Sequence, residues 1–318
     1  LNGIEESDLI ILIGTNPRLE STILNARIRK SYLKNKVDIY ATSGLGELTY
    51  PYQIIENETK TIKDIVENNH FLSEKIKQSN KPLVILGQSV FKIKSGKYIF
   101  EELKEFLINN EKINKDWNSL NIISNNASTV GSYDLDILNS VNGSNLTLEK
   151  IKNNEFQILF LIGQDNLNFT KKDEFIIYIG SHGDKGAEIA DVILPGAAYT
   201  EQDGYFTNLE GKMQKAYKAS YPPGESKEDW LIFNELSSLL KRKKIFKDKE
   251  ELLDSMMNFL KLNKKNDFKK FNKIEFVEEK INIDALDYYY SNAISRASKT
   301  MTDCRNEKMN IKKTGTEG

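Results

Sequence analysis

Short apolar runs alternate with helix-like patterns along the first two thirds of the chain. Residues 8–14 form a continuous apolar run that ends at glycine, which is typical of a strand buried on both faces of a parallel sheet. Residues 18–33 then place apolar side chains at helical spacing, and residues 37–42 return to a strand pattern. These three segments predict one strand–helix–strand unit.

The same alternation continues to about residue 195. Helices are predicted at 61–77 and 97–109, and strands at 82–87, 121–124, 156–163, 175–180 and 190–195. Strands and helices alternating at this spacing predict an α/β fold with a doubly wound, mostly parallel sheet and right-handed crossovers.

From residue 227 the pattern becomes helical and polar, with predicted helices at 230–240 and 249–262. We therefore predict an α/β domain over residues 1–226. A helical and polar C-terminal region over residues 227–318 is expected to dock on that domain and on partners.

Composition and charge exclude several classes of protein. The 318 residues are 39% hydrophobic and carry a net charge of −1, which favours a folded chain over a disordered one. The apolar runs have strand length, well short of the roughly 18–20 residues that cross a bilayer. The single cysteine, Cys304, excludes an internal disulfide, a four-thiolate iron–sulfur site and a Cys-based zinc site.

One segment departs from the near-neutral average. Residues 241–280 hold 13 Lys and Arg against 8 Asp and Glu, with phenylalanines between them. A solvated surface is the simplest interpretation, and docking onto an acidic protein surface is an alternative. A nucleic-acid patch is disfavoured, because phosphate neutralisation requires a clear basic excess over the whole domain.

The glycine at the end of the first predicted strand opens a short motif, Gly14-Thr-Asn-Pro-Arg18. Free backbone N–H groups at a helix start can bind an anion. The motif is equally explained by Asn16 as an N-cap followed by Pro17 at the first helical position. It is neither a dinucleotide fingerprint nor a P-loop.

Residues 180–214 carry six glycines and turn repeatedly, as a loop over a cofactor would. His182 lies near Ser181, Asp184 and Asp191 in the sequence, but sequence neighbours rarely form a catalytic triad, and a backbone-satisfied loop histidine is expected. The carboxylates Glu201, Asp203 and Glu210 follow no spacing rule that would select an acid–base pair, so turn or partner contacts are expected for them.

Four separated groups of motifs, in order, resemble one family. They are residues 12–18 with 24–32 and 48–52, residues 176–201 with Ala190-Asp-Val-Ile-Leu-Pro195, residues 207–214 with 222–230, and residues 288–304. This set is similar to the large iron–sulfur (75 kDa) subunit of respiratory complex I, NADH:ubiquinone oxidoreductase, over nearly the whole chain.

The resemblance implies a molybdopterin-oxidoreductase-like fold in which the pterin cofactor is absent. It implies no cofactor in this chain, with the 4Fe-4S and 2Fe-2S clusters and FMN carried by partner chains. The segments that would surround an ancestral pterin site are marked by these residues: Gly183, Asp191, Pro195, Thr207, Asn208 and Glu210.

The function implied is that of a non-catalytic structural subunit of the peripheral arm of complex I, supporting NADH-to-quinone electron transfer. Possible partner contacts lie on an early basic helix, at Arg18, Arg27, Arg29 and Lys30, where plain solvation is the alternative. Two other functions stay open. One is a fragment of a molybdopterin-dependent, formate dehydrogenase-like oxidoreductase with a cofactor at the 180–214 loop, and the other is a generic nucleotide-binding α/β domain.

The expected partners are the N-terminal, cluster-bearing part of the same subunit and the flavin-bearing and other peripheral-arm subunits. The sequence starts beyond that cluster-bearing part, so we expect either a fragment or a subunit encoded as two polypeptides. The expected location is the matrix side of the mitochondrial inner membrane, or the cytoplasmic face of the membrane in a bacterium.

Overall fold

The computed structural model describes residues 2–137, 149–164, 170–183, 185–262, 275–284 and 286–313. The chain divides into two compact units. Unit 1 comprises residues 1–129, 209–211 and 267–286, and unit 2 comprises residues 130–208, 212–266 and 287–318. The boundary predicted at residues 226 and 227 stays a prediction.

Unit 1 is built on a five-stranded sheet in which every neighbouring pair is parallel. In sequence order its strands are β1 (Leu9–Ile13), β2 (Asp38–Ala41), β3 (Gln53–Ile54), β4 (Pro82–Gly87) and β5 (Leu120–Ile123). Their spatial order is β3-β2-β1-β4-β5, so the order reverses between β1 and β4. The predicted doubly wound parallel sheet is confirmed here.

Both faces of this sheet are covered. The helices of unit 1 are α1 (Pro17–Glu20), α2 (Thr22–Asn35), α3 (Thr59–Val66), α4 (Phe71–Gln78) and α5 (Gly96–Asn109). Leu9, Ile11 and Ile13 of β1 join one buried cluster with α3, α4 and α5. Ile10 and Leu12 join a second cluster with α2. Successive side chains of β1 therefore enter two separate cores, as a strand buried on both faces requires.

The helix predicted over residues 61–77 is two helices. Asn68 has a φ of 66°, in the left-handed region, and this conformation ends the first helix. His70 then caps the second, because its Nδ1 accepts a hydrogen bond from the Leu72 N–H at 3.3 Å. The apolar spacing continues across the break, so periodicity alone did not reveal it.

Unit 2 contains a parallel sheet of three strands in the order β6-β7-β8, namely β6 (Ile158–Ile162), β7 (Phe175–Gly180) and β8 (Val192–Pro195). Leu161, Ile176 and Tyr178 form a buried cluster on one face. An antiparallel hairpin of β9 (Gly204–Thr207) and β10 (Met213–Ala216) follows, which the sequence pattern did not predict.

The remaining α-helices are α6 (Thr129–Asp134), α7 (Lys185–Glu188), α8 (Asp229–Leu239), α9 (Lys249–Leu262), α10 (Ala293–Ala297) and α11 (Lys299–Lys313). The helices predicted at 230–240 and 249–262 correspond to α8 and α9. Within the basic segment 241–280, residues 263–274 lie outside the described residues. Within the described ranges, no helix combines the length and the hydropathy that crossing a membrane requires.

Candidate functional site at the carboxyl edges of the sheets

The carboxyl ends of β1 and β4 mark the point where the strand order of unit 1 reverses. Open α/β sheets bind ligands in the crevice at such a point. The two strands end at Gly14 and Gly87, and a Cβ added to Gly87 would overlap the Gly14 carbonyl. Gly14 has a φ of 58°, and its N–H donates to Thr42 Oγ1 at 3.1 Å. The glycines thus permit a close approach of the strand ends.

The crevice at this point is filled by the chain itself. A Cβ added to Gly14 would lie 2.7 Å from Val90 Cγ2 and 2.9 Å from Ile281 Cγ2. Ile281 is fully buried and belongs to the same core cluster as Val90. A side chain from late in the sequence therefore packs against the end of β1 at the switch point.

Ile281 is part of a segment that we call the strap, residues 275–284, which is held by two buried hydroxyl groups. Ser95 Oγ donates to the Val277 carbonyl and accepts from the Val277 N–H, both at 2.8 Å. Thr59 Oγ1 donates to the same carbonyl at 2.8 Å and accepts from the Glu279 N–H at 3.0 Å. The strap therefore satisfies its backbone groups like an added strand.

Further contacts fix the two ends of the strap. The Ile281 N–H donates to the Asn57 carbonyl at 2.6 Å, and the Asp284 N–H donates to Ser89 Oγ at 3.1 Å. Asp284 also forms an ion pair with Lys92, with a separation of 2.5 Å. These contacts therefore hold the strap in place on both sides of Ile281.

A half-buried carboxyl group lies beside this edge. Thr15 Oγ1 donates a hydrogen bond to Glu20 Oε2, while Glu20 Oε1 is buried and has no hydrogen-bond partner among the described residues. Desolvation raises the pKa of Glu20 above its ordinary value of 4.5, the hydrogen bond from Thr15 opposes the shift, and the charge of Asp284 adds to it.

The motif at residues 14–18 serves as a helix cap. Asn16 Oδ1 accepts from the Arg18 N–H at 3.1 Å, and its carbonyl accepts from the N–H groups of Leu19 and Glu20. Pro17 occupies the first turn of α1, which is only four residues long. The capping interpretation is confirmed, and these N–H groups already have partners within the chain.

The carboxyl edge of the unit 2 sheet is also tightly packed. A Cβ added to Gly196 would lie 2.9 Å from Asp229 Oδ1 and 3.2 Å from Ile179 Cγ2. Desolvation raises the pKa of Asp229 above 3.8, and the nearby Glu228 adds to the shift. Beyond β7, the Tyr178 hydroxyl donates to the His182 carbonyl at 2.9 Å.

His182 is engaged locally. Its Nδ1 lies 3.0 Å from Ser181 Oγ, and Asp184 falls outside the described residues. Asp191 is bonded elsewhere, because its Oδ2 accepts from the Ile176 N–H at 2.8 Å and its Oδ1 pairs with Lys171 at 2.5 Å. These hydrogen bonds, first that from Ile176, lower the pKa of Asp191.

The six residues predicted to mark an old pterin site fall in three places. Gly183 and Pro195 lie at or beyond the carboxyl ends of β7 and β8, whereas Asp191 immediately precedes β8 at its opposite end. Thr207 ends β9, and the turn that follows carries Asn208 and Glu210. Asn208 Oδ1 closes that turn by accepting from the Lys212 N–H at 2.9 Å. Their role as remnants of a cofactor site stays a prediction.

Two further acidic residues of the 180–214 loop, Glu201 and Asp203, have partners within the chain. Glu201 Oε2 accepts from the Ala198 N–H at 2.9 Å. Asp203 Oδ1 accepts from the Lys218 N–H at 2.9 Å, and this hydrogen bond is the main reason that the pKa of Asp203 is lowered. Turn contacts were one of the two expectations for these carboxylates.

Three of the four basic residues predicted as partner contacts form ion pairs inside unit 1. Arg18 pairs with Glu47, and Arg27 and Lys30 both pair with Glu5. Arg29 is exposed, and its charge helps to lower the pKa of Glu47. The expected role of these residues toward partners stays a prediction, and Arg29 is the residue least engaged within the chain.

The strap is a structural element that the sequence pattern did not predict. Its signal is short and weak, because Ile281 and Ile283 alternate with polar residues in an otherwise charged stretch. Ser95 and Thr59, which hold the strap, look like ordinary helix-start residues in the sequence. Only the fold brings these residues together.

The match to known proteins agrees with this architecture. Residues 1–239 match the molybdopterin oxidoreductase family. The chain therefore belongs to the molybdopterin oxidoreductase family, and the predicted fold relationship is confirmed.

The individual relatives are more specific. The NADH-ubiquinone oxidoreductase 75 kDa subunit of Reclinomonas americana is 38% identical over 317 residues, which cover 96% of this chain and 45% of the relative. The mitochondrial 78 kDa subunit of Candida albicans is 32% identical, covering 96% and 44%. An NADH-quinone oxidoreductase subunit of Rickettsia bellii is 33% identical, covering 98% and 46%. The resemblance to this type of subunit is confirmed, and the chain spans just under half the length of these relatives.

Proposed function

We propose that this chain is a structural part of NADH:ubiquinone oxidoreductase, respiratory complex I, and catalyses no step of its own. The relatives described above are subunits of NADH-ubiquinone or NADH-quinone oxidoreductase by name. Electron transfer depends on centres held at fixed positions, so a rigid α/β body can serve the enzyme without an active site.

The observation that carries the non-catalytic role is the position of Ile281. The strap places this fully buried side chain against Gly14 and Val90, at the switch point where sheets of this class bind ligands. This packing at the switch point supports a structural role for unit 1, in which the strap stabilises the edge of the sheet.

The proposal assigns the redox centres to partner chains. One cysteine, the exposed Cys304, cannot supply the thiolates of a 4Fe-4S or 2Fe-2S cluster. The clusters are assigned to the N-terminal part of the same subunit, as a separate chain or as the rest of a longer polypeptide, and FMN to a further subunit.

A surface on α2 supports contacts with those partners. Arg29 and Lys30 are exposed, and Ile23 and Leu33 on the same helix are 69% and 58% exposed. Exposed apolar side chains next to cations are common at protein interfaces. The proposed location follows the assembly: the peripheral arm, on the matrix side of the mitochondrial inner membrane or on the cytoplasmic face in a bacterium.

The test is purification of the native assembly through an affinity tag on this chain, followed by native mass spectrometry and metal analysis. We expect flavin- and cluster-bearing subunits in the same particle, with NADH dehydrogenase activity. An Arg29→Glu variant should reduce that co-purification, with Lys60→Glu on α3 as the matched exposed control. Recovery of the chain without any such subunit would contradict the proposal.

The family match favours a second candidate, a fragment of a molybdopterin-dependent oxidoreductase. Metal analysis of the same preparation distinguishes the two candidate functions. Stoichiometric molybdenum or tungsten bound to this chain would support the second candidate and would exclude the purely structural role.

A further inference from the structure

Residues 239–247, which we call the basic loop, form an exposed surface of mixed apolar and basic side chains. Leu239, Leu240 and Ile245 are 80%, 64% and 52% exposed. Five cations lie among them and are exposed as well: Lys241, Arg242, Lys243, Lys244 and Lys247. Exposed large apolar side chains concentrated at one place mark interaction surfaces more often than scattered ones do.

The backbone of the basic loop is fixed at its start. The Arg242 N–H donates to the Ser237 carbonyl and the Lys241 N–H to the Ser238 carbonyl, both at 3.0 Å. This pair of hydrogen bonds is a Schellman motif at the end of α8. Lys241 has a φ of 56° and occupies the left-handed position of this motif, where glycine is the usual residue. A cation therefore stands where the backbone itself would favour glycine.

A buried side chain fixes the rest of the loop. Asn234 Oδ1 accepts from the N–H groups of Ile245 and Phe246 at 2.9 and 3.0 Å, and its Nδ2 donates to the Phe246 carbonyl at 2.7 Å. Ser237 Oγ donates to the Lys243 carbonyl at 2.6 Å. The cations are thus presented from a defined backbone.

Three neighbouring acidic side chains have partners other than the side chains of residues 241–244. Glu235 pairs with Lys227 at 2.6 Å, and Glu251 Oε2 accepts from the Lys247 N–H at 2.5 Å. Asp248 Oδ1 accepts from the Glu251 N–H at 2.9 Å. Within the described part of the chain, no ion pair involves the side chains of residues 241–244.

We propose that the basic loop docks onto an acidic surface of a second protein, with Leu239 and Leu240 buried at the centre of the contact. Exposed apolar residues followed directly by cations suit a protein interface, in which a desolvated centre supplies affinity and charges at the rim supply orientation and association rate. An acidic partner surface complements the positive rim.

The fixed backbone favours a protein over a membrane or a nucleic acid. Adsorption of a basic segment to anionic lipid depends on charge and needs no defined loop geometry, whereas docking to a folded surface gains from preorganisation. The net charge of −1 for the whole chain gives no general attraction for polyanions. This inference goes beyond the proposed function, because the partner is defined by its chemistry alone.

The experiment treats the purified native assembly with a carbodiimide, which joins lysine amines directly to carboxylates, and maps the joined residues by mass spectrometry. We expect links from Lys241, Lys243 or Lys244 to Asp or Glu of another polypeptide. Links only within this chain, only to lipid headgroups or phosphates, or no links at all would overturn the proposal.

Matched variants test how much the cations of the basic loop contribute to binding. Reversal of all four cations, K241E/R242E/K243E/K244E, should weaken binding to the linked partner by about tenfold or more. The control K60E/K94E/K115E/K152E reverses four exposed lysines outside both the basic loop and α2, and the same net charge change should alter that binding less than about twofold. Equal losses for the two variants would contradict a specific contact.

The variant K241G protects the test from a folding artefact. Glycine suits the left-handed position, so this variant should fold at least as well as the parent chain while its binding is weakened. Unchanged binding would count against the role of Lys241. A linked partner outside complex I would support the basic loop and weaken the proposed function. Co-purification of complex I subunits without a cross-link at the basic loop would support the proposed function and contradict the proposed docking of the loop.

Discussion

The central strand β1 of unit 1 and the edge strand β6 of unit 2 have nearly the same sequence pattern and very different surroundings. β1 reads Leu-Ile-Ile-Leu-Ile and is buried at every position, whereas β6 reads Ile-Leu-Phe-Leu-Ile and is buried only at Leu161. In unit 1, helices cover both faces of the sheet and the strap closes its carboxyl edge. In unit 2, Ile158, Phe160 and Ile162 remain 56%, 40% and 45% exposed.

The difference shows that a continuous apolar run specifies a strand but not the state of both its faces. Burial on both faces depends on how many elements elsewhere in the chain return to the sheet. Unit 1 gains α2 on one face, and α3, α4, α5 and the strap on the other. Unit 2 packs one face into a small cluster, and its opposite face meets Phe233 at Phe160, with ring centroids 6.0 Å apart.

The largest expected effect tests the closed edge of unit 1. Ile281→Ala removes a fully buried side chain and leaves a cavity, so it should lower the free energy of unfolding by about 3–4 kcal/mol. The matched change Ile162→Ala in unit 2 removes a side chain that is nearly half exposed and should cost less than about 1 kcal/mol. Chemical denaturation measures both, and equal losses would break the comparison.

A second pair of variants tests the strand ends. Gly87→Ala introduces a Cβ that overlaps the Gly14 carbonyl, and because both groups are backbone we expect a loss of about 2–3 kcal/mol. Gly183→Ala in unit 2 places a Cβ 3.9 Å from Ala187 and should change stability by less than about 0.5 kcal/mol. A tolerated Gly87→Ala would mean that the strand ends can separate.

Each unit also has one half-buried carboxyl group with a raised pKa at its carboxyl edge, Glu20 or Asp229. Because folding disfavours the ionised form of each group, its contribution to stability should fall as pH rises from below the ordinary pKa through the raised one. Glu20→Gln should remove this slope and add up to about 1 kcal/mol at pH 7, a figure reduced for its partial exposure. Asp229→Asn should gain less, because Asp229 begins α8, where a negative charge is favourable.

Unfolding curves of the parent chain and of each variant, measured across the acidic and neutral pH range, check the sign. The difference between parent and variant isolates the one carboxyl group from all others that titrate. We expect the advantage of Glu20→Gln over the parent to grow as pH rises. An advantage that shrinks with rising pH would contradict the assigned direction.

The smallest effect compares two helix ends. Lys36 follows α2 and Lys241 follows α8, both in the left-handed region with φ values of 53° and 56°. Lys241→Gly should gain about 0.5 kcal/mol by relieving that backbone conformation. Lys36→Gly should gain less, because it also removes a cation–π contact in which Nζ lies 5.0 Å from the Tyr32 ring centroid. Thermal melts of the two variants measure which gain in stability is larger, and a loss of stability for Lys241→Gly would contradict the expectation.

Much of the fold was predictable because its strands are short, apolar and separated by helical spacing. The predicted strands at 82–87 and 175–180 agree with β4 and β7 residue by residue. The predicted helix at 249–262 agrees with α9 in the same way. These segments carry strong local signals.

The features that decide the site were not predictable in the same way. The break at Asn68 depends on one backbone angle, and the filling of the crevice depends on a contact between Gly14 and Ile281, far apart in the sequence. A local pattern contains neither fact. The glycines at 14 and 87 were visible, but their purpose, a close approach of two strand ends, became clear only with the register of β1 and β4.

The strap has a consequence for the synthesis of this protein. The five strands of unit 1 have all emerged once Ile123 has left the ribosome, yet Ile281 follows only after most of unit 2. At roughly 5–20 residues per second, that interval lasts on the order of 10–30 s. Throughout it, the nascent sheet lacks the side chain that packs against Gly14 and Val90, so the core of unit 1 is completed only near the end of synthesis.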